Sequence, residues 1–120
     1  ATIVTDDACT GTRYFSNDVL LEEEPLSAIT TRYMERSPCP CKDLIERRRC
    51  DDLLKLVKDY NVQGAIIVHQ RFCDIHGIDI PPMRALLEEN NVSTLVLEFE
   101  ITNPEAQLRI RVEAFLETLA

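Results

Sequence analysis

Two stretches of the chain, at residues 64–68 and 92–99, are nearly continuous in apolar and β-branched residues. Runs of this length bounded by turn residues are typical of strands buried in a parallel sheet. A shorter β-branched run at residues 2–5 predicts another strand. Three strands separated by longer amphipathic segments indicate an α/β fold.

Apolar residues recur at helical spacing in the segments between and after these strands. The predicted helices cover residues 26–35, 43–60, about 79–89 and 104 onwards, and residues 14–21 are expected to be partly helical. Asp79 is expected to cap the third of these helices, because Pro81 and Pro82 fit a first helical turn. Thr102 or Asn103 is expected to cap the last helix.

The alternation of strands and helices predicts a parallel sheet with right-handed crossovers and helices on both faces. We therefore expect a three-layer α/β/α arrangement with a small sheet, of flavodoxin-like or Rossmann-like type. Residues 1–120 are expected to form a single domain, since a chain of 120 residues is long enough for one core and too short for two. The chain starts without methionine, directly in a predicted strand, which indicates the carboxyl-terminal domain of a longer subunit.

The composition excludes several classes of partner. A net charge of −8 argues against binding to nucleic acid or to an anionic membrane. No apolar run is long enough to span a bilayer, and no signal-peptide pattern is present, so we expect a cytoplasmic protein. Five cysteines are an odd number and do not suggest a disulfide framework, so thiols or metal thiolates are expected.

A short polar stretch directly after the strand at 64–68 holds Cys73, Arg71 and both histidines, His69 and His76. Open α/β sheets bind their ligands at the carboxyl ends of the strands. A neighbouring cation favours the thiolate that metals bind, so we interpret Cys73 as a metal-cluster ligand rather than an inert thiol. The two histidines are either zinc or iron ligands or hydrogen-bonded structural residues.

The other cysteines give weaker signals. Cys9 follows the strand predicted at residues 2–5, so its loop should open on the same edge of the sheet, either as a ligand or as a packed thiol. Cys39 and Cys41 are separated by one proline, which is not the spacing of a zinc knuckle. Cys50 is most simply a packing or surface thiol on its helix.

Charged residues leave two further hypotheses open. The basic triplet Arg47, Arg48 and Arg49 is either a solvated face or a site for a phosphate or an acidic partner. Paired acids follow the predicted strands at Asp6-Asp7 and Glu98/Glu100, and acids at such positions often bind magnesium. The alternative function is therefore a receiver-like or flavodoxin-like binding module without redox chemistry.

Several stretches taken together resemble one family. They are DDACTGTRYF (6–15), ERSPCP (35–40), GAIIV (64–68), FCD (72–74) and QLRIRVEAFLE (107–117). Their order and spacing resemble the carboxyl-terminal region of the 2-hydroxyglutaryl-CoA dehydratase (D-component) / benzoyl-CoA reductase subunit family. Ile75 stands where the family pattern has proline.

The resemblance implies an iron–sulfur subunit that acts on an acyl-CoA thioester. Family members are oxygen-sensitive and pair with a homologous second subunit, and each holds a cluster, usually [4Fe–4S], by three cysteines. Cys73 matches the last of these ligands, the other two belong to regions upstream of this segment, and Cys9 is the second choice. One iron is left open for substrate, and an ATP-dependent activator protein supplies the electron for ketyl radical chemistry, which either dehydrates a hydroxyacyl-CoA or reduces an aromatic ring.

Groups near such a cluster tune it through hydrogen bonds and burial, and His69, Arg71 and His76 are the candidates for this supporting role. With one expected ligand in this segment, we expect the isolated chain to fold without assembling the cluster and to be inactive.

Overall fold

The computed structural model describes residues 1–40, 48–100 and 105–119. Its elements in chain order are α1 (Thr12–Phe15), α2 (Pro25–Glu35), α3 (Arg48–Asp59), β1 (Gly64–Gln70), α4 (Asp74–Glu89), β2 (Ser93–Phe99) and α5 (Glu105–Glu117). The chain divides within α3 into two compact units. We call Thr2–Leu56 the amino-terminal unit and Val57–Ala120 the carboxyl-terminal unit.

The carboxyl-terminal unit contains a small parallel sheet, so the predicted α/β class is confirmed. β1 and β2 pair in register from Gly64 opposite Ser93 to Gln70 opposite Phe99. Their connection runs through α4, as expected for parallel neighbours, which need a long crossover. The three-layer, flavodoxin-like arrangement and the single domain stay predictions.

The third strand, expected at residues 2–5, is not formed. β-branched residues favour extended backbone, but a strand also needs a hydrogen-bonded neighbour. In the described part of the chain the sheet consists of β1 and β2, and the side chain of Ile3 is 91% exposed. The prediction was wrong because local composition does not supply a pairing partner.

α4 begins earlier than the pattern suggested. It starts at Asp74, so Asp79, the predicted cap, lies inside the helix and is buried. Pro81 and Pro82 also lie within α4, where each removes one backbone donor. α4 therefore continues through both prolines with two N–H groups missing from its hydrogen-bond pattern.

Other helix boundaries agree with their sequence signals. Pro25 occupies the first position of α2, where its missing N–H costs little. Asn61 and Asn91, which follow α3 and α4, adopt the left-handed conformation with φ of 49° and 60°. The predicted caps at Thr102 and Asn103, and residues 43–47 of the helix predicted at 43–60, lie outside the described residues.

The core of the carboxyl-terminal unit is apolar and formed by all its main elements except β1. Its buried residues are Leu87, Val92, Leu97 and Phe115. β1 was expected to be buried on both faces, yet Val68 is 65% exposed. β1 is therefore partly buried on one face and exposed on the other. No helix in the described part of the chain is long and apolar enough to cross a membrane.

Two glycines in this unit are expected to respond oppositely to replacement by alanine. A Cβ at Gly64 would lie 2.6 Å from Leu119 Cδ1 and 3.0 Å from Phe115 Cζ, so Gly64→Ala should destabilise the unit by about 1–3 kcal/mol. A Cβ at Gly77 would meet the His69 ring at an ordinary 3.6 Å within a helix, so Gly77→Ala should stabilise by about 0.5–1 kcal/mol. Urea unfolding measures both, and equal signs for the two variants would contradict this packing.

Candidate functional site

A tight turn joins β1 to α4 and places Cys73. The Cys73 N–H donates to the Gln70 carbonyl oxygen at a distance of 3.0 Å. Phe72, at the third position of the turn, has φ of 67°, a conformation that usually belongs to glycine or asparagine. Its side chain is 84% exposed. The turn fixes Cys73 as the residue that precedes the first turn of α4.

The backbone of Cys73 is held on both sides, while its thiol forms no hydrogen bond with any residue that the structure describes. The Cys73 carbonyl accepts hydrogen bonds from the Gly77 N–H at 2.9 Å and from His69 Nε2 at 3.1 Å. Because a carbonyl only accepts, this bond requires the His69 proton on Nε2. Cys73 occupies the N-cap of α4, its thiol makes no capping bond, and the residue is half-buried. A helix N-terminus stabilises negative charge such as that of a metal-bound thiolate.

Arg71 links the loops that follow the two strands. Its guanidinium lies 2.9 Å from Glu100 Oε2 and 3.8 Å from Glu98 Oε1. The hydrogen bond to Glu100, and then the charges of Glu100 and Glu98, raise the pKa of Arg71. The loops holding Cys9, Cys73 and Glu100 were all predicted to open on one edge of the sheet. This holds for the Cys73 and Glu100 loops, which follow β1 and β2, but the Cys9 loop follows no strand.

His76 lies in the first turn of α4, not in a loop as expected, and is half-buried. Cys73 and His76 are three positions apart, a spacing that places two side chains on the same side of a helix. Even so, no group of three or more His, Cys, Asp or Glu side chains in residues 1–40, 48–100 and 105–119 is arranged to hold a metal ion. These residues supply at most part of a metal site.

Cys9 lies in a folded loop of the amino-terminal unit that Asp6 organises. The Asp6 carboxylate accepts hydrogen bonds from the Ala8 N–H (2.9 Å), the Thr12 N–H (3.0 Å) and the Thr12 hydroxyl (2.8 Å). A Cβ at Gly11 would collide with this carboxylate, so the loop requires glycine there. Contrary to expectation, the loop does not follow a strand.

These hydrogen bonds predict an unusual titration. The bond from the Ala8 N–H, followed by those from Thr12, lowers the pKa of Asp6. The carboxylate therefore stabilises the fold above the ordinary aspartate pKa, and this contribution is lost as the pH falls through the lowered value. Carbon-13 NMR should show Asp6 titrating below the ordinary range of an exposed aspartate, and Asp6→Asn should lower stability at neutral pH more than in acid. An ordinary pKa for Asp6 would contradict the loop geometry.

A buried ion-pair cluster lies next to Cys9. Arg13 donates to both carboxylate oxygens of Asp7, with Nε at 2.8 Å from Oδ1, and its Nη1 lies 3.4 Å from Cys9 Sγ. Arg49 adds a second guanidinium, 3.2 Å from Asp7 Oδ2. Arg13 and Arg49 are 8% and 4% exposed. We call Asp7, Arg13 and Arg49 the Asp7 cluster.

The Asp7 cluster was missed by sequence reasoning. Arg49 was interpreted as part of a solvated or anion-binding triplet, and it is buried against an acid of its own chain. Arg48 donates to the Glu35 carbonyl at 2.5 Å, and Arg47 lies outside the described residues. Arg49 lies 42 positions from Asp7 in the sequence, and a pairing over that separation carries no periodic signal, so the sequence alone did not reveal the cluster.

The acids that were expected to bind magnesium are engaged in contacts within the chain. Asp6 is bonded within its loop, Asp7 is paired with two arginines, and Glu98 and Glu100 face Arg71. Charges already paired in this way are poor ligands for a divalent ion. The receiver-like alternative therefore has no support in the described geometry.

The remaining thiols lie in the amino-terminal unit. Cys9 is exposed, while Cys39 and Cys50 are half-buried. Cys41 lies outside the described residues. Of the predicted site residues, the structure brings Cys73, His69 and Arg71 together around one turn, with His76 on the adjoining helix.

Comparison with known proteins places this arrangement in a family. The family model for the 2-hydroxyglutaryl-CoA dehydratase D-component matches residues 1–119. The chain is also 26% identical, over 121 aligned positions covering 98% of its length, to the (R)-phenyllactyl-CoA dehydratase beta subunit of Clostridium sporogenes. It spans 31% of the length of that relative. The match over residues 1–119 shows that the chain belongs to the 2-hydroxyglutaryl-CoA dehydratase D-component family.

Proposed function

We propose that this chain is the carboxyl-terminal domain of an iron–sulfur subunit of an (R)-2-hydroxyacyl-CoA dehydratase or benzoyl-CoA reductase. The observation that carries the proposal is the position of Cys73. Its thiol forms no hydrogen bond with the described residues, it stands where a parallel sheet presents ligands, and a 16-residue helix begins beside it. The surrounding Phe-Cys-Asp sequence is the stretch that resembles the family's last cluster ligand.

The residues fit one corner of a [4Fe–4S] cluster. Cys73 would supply one thiolate, and Cys9 is the second choice for a ligand. The described residues hold no set of three ligands, so the remaining thiolates would come from elsewhere in the subunit. Such a cluster supplies single electrons at low potential.

The neighbours of Cys73 have supporting tasks. His69 holds the Cys73 carbonyl through its Nε2–H, which sets the direction of the first turn of α4. Arg71, whose guanidinium is paired with Glu100, places a positive charge two residues before Cys73 in the chain. His76, three residues further along, is a candidate hydrogen-bond donor to a bound thiolate or substrate. Partners of this kind orient metal ligands and tune the metal.

The proposed substrate is an acyl-CoA thioester. One-electron reduction of its carbonyl gives a ketyl radical, which either expels the hydroxyl group on the way to an enoyl-CoA or is reduced further around an aromatic ring. The relative from C. sporogenes is named a phenyllactyl-CoA dehydratase, which supports the dehydratase branch.

Two protein partners follow from the proposal: a homologous second subunit and an ATP-dependent activator that delivers the electron. The relative is named a beta subunit, in agreement with a heterodimer. Large exposed apolar side chains also support assembly, among them Ile3, Leu21, Leu26, Met34 and Phe72. We place the complex in the cytoplasm of an anaerobically growing cell.

An activity assay tests this function. The full-length subunit, its partner, the activator and ATP are incubated without oxygen with phenyllactyl-CoA, an aliphatic (R)-2-hydroxyacyl-CoA or benzoyl-CoA. The proposal predicts conversion of at least one thioester that stops without ATP and after exposure to air. Turnover that persists without the activator, or under air, would contradict radical chemistry.

A further inference from the structure

Two tyrosines and two arginines of the amino-terminal unit form a compact group that the proposed function does not use. We call Tyr14, Arg32, Tyr33 and Arg36 the Tyr–Arg cluster. The hydroxyl oxygens of Tyr14 and Tyr33 lie 3.0 Å apart, and their rings meet edge to face at 6.4 Å between centroids. Both hydroxyl groups are exposed.

Arg32 holds the cluster together. Its Nε donates to the Asn17 carbonyl and its Nη2 donates to the Tyr14 carbonyl, each at a distance of 2.8 Å. Its guanidinium carbon also lies 5.4 Å from the centroid of each tyrosine ring. These bonds fix Arg32 in place and hold its positive charge beside both tyrosines.

Arg36 differs, because its donors are not used within the described chain. Its guanidinium lies over the Tyr33 ring, 5.5 Å from the centroid. In residues 1–40, 48–100 and 105–119 it forms no hydrogen bond or ion pair. The aromatic ring of Tyr33 therefore holds the Arg36 cation, and the described residues leave its forked donors unused.

The hydrogen bond between the tyrosines uses only one of their two hydroxyl hydrogens. Either hydroxyl group can be the donor of this bond. With Tyr14 as the donor, the O–H of Tyr33 is left to donate to a further acceptor.

We propose that Tyr33 and Arg36 bind a phosphate group, with the fixed charge of Arg32 behind them. An arginine fork and a hydroxyl can reach separate oxygens of one tetrahedral anion, which a planar carboxylate matches less well. A chain of net charge −8 repels anions over most of its surface, which makes a local cationic cluster with unused donors distinctive. The inference stands on this geometry and does not depend on the proposed function.

Isothermal titration of the full-length protein with inorganic phosphate, at constant ionic strength in sodium chloride, tests the site. Arg36→Gln should weaken phosphate binding about tenfold, and Tyr33→Phe, which keeps the ring under Arg36, about threefold. Arg109→Gln is the matched control, since it removes an equal charge from an exposed arginine paired with Glu113 in the other unit. Far-UV circular dichroism confirms that each variant is folded.

The outcomes separate the sources of the phosphate. If coenzyme A competes with inorganic phosphate and both depend on Arg36, the site serves the proposed thioester substrate. If only inorganic phosphate depends on Arg36, the site takes the free ion. The absence of saturable phosphate binding, or equal losses in Arg36→Gln and Arg109→Gln, would overturn the proposal.

Discussion

Replacing Arg13 by alanine is expected to destabilise the amino-terminal unit by about 2–4 kcal/mol. Arg13 is 8% exposed and donates to both carboxylate oxygens of Asp7 and to its backbone carbonyl. Removing one partner of a buried pair costs about 3–5 kcal/mol, because the other charge loses its compensation. The cost is reduced here since Asp7 keeps Arg49 and its side chain remains 25% exposed.

Urea unfolding of the wild type and the variant measures this loss. Arg109→Ala serves as the control, because it removes an exposed arginine from a surface pair with Glu113 and should change stability by less than about 0.5 kcal/mol. Arg13→Lys should lie between the two, since an ammonium keeps the charge but cannot bridge both oxygens. Similar losses for Arg13→Ala and Arg109→Ala would show that the Asp7 cluster does not stabilise the unit.

The parts of the fold that local patterns encode were predictable. The apolar runs that became β1 and β2, and the carboxyl ends of α3 and α4, were located from sequence because strand composition and helical periodicity are local properties. The strand predicted at residues 2–5 is not formed for the opposite reason, since a strand depends on a neighbouring strand that composition does not reveal. The start of α4 was predicted too far along the chain, because Pro81 and Pro82 fit a first helical turn although a helical turn precedes them.

The candidate site and its surroundings likewise contain one group of residues that was predictable from the sequence and one that was not. Cys73, His69 and Arg71 were located together because they flank one turn at the end of one strand, so sequence proximity became spatial proximity. The Asp7 cluster could not be predicted, since Asp7, Arg13 and Arg49 meet only after the amino-terminal unit has folded. Long-range pairing of charges has no periodic signature.

The second large expected effect concerns Cys73. If its thiolate is one of three protein ligands, Cys73→Ala should remove the cluster from the full-length subunit, since two remaining thiolates hold it poorly. Cys50→Ala is the matched control, because Cys50 is another half-buried cysteine, on α3, and has no predicted ligand role. Cys73→Ser preserves the side-chain shape and should lose most of the cluster as well, which separates loss of ligation from loss of packing.

The most direct measurement is the iron content, together with the electron paramagnetic resonance spectrum, of the full-length subunit reconstituted with iron and sulfide without oxygen. The account predicts that wild type and Cys50→Ala carry the same cluster signal, and that Cys73→Ala and Cys73→Ser lose it while their circular dichroism stays unchanged. An unaltered iron content and spectrum in folded Cys73→Ala would contradict the assignment of Cys73 as a ligand.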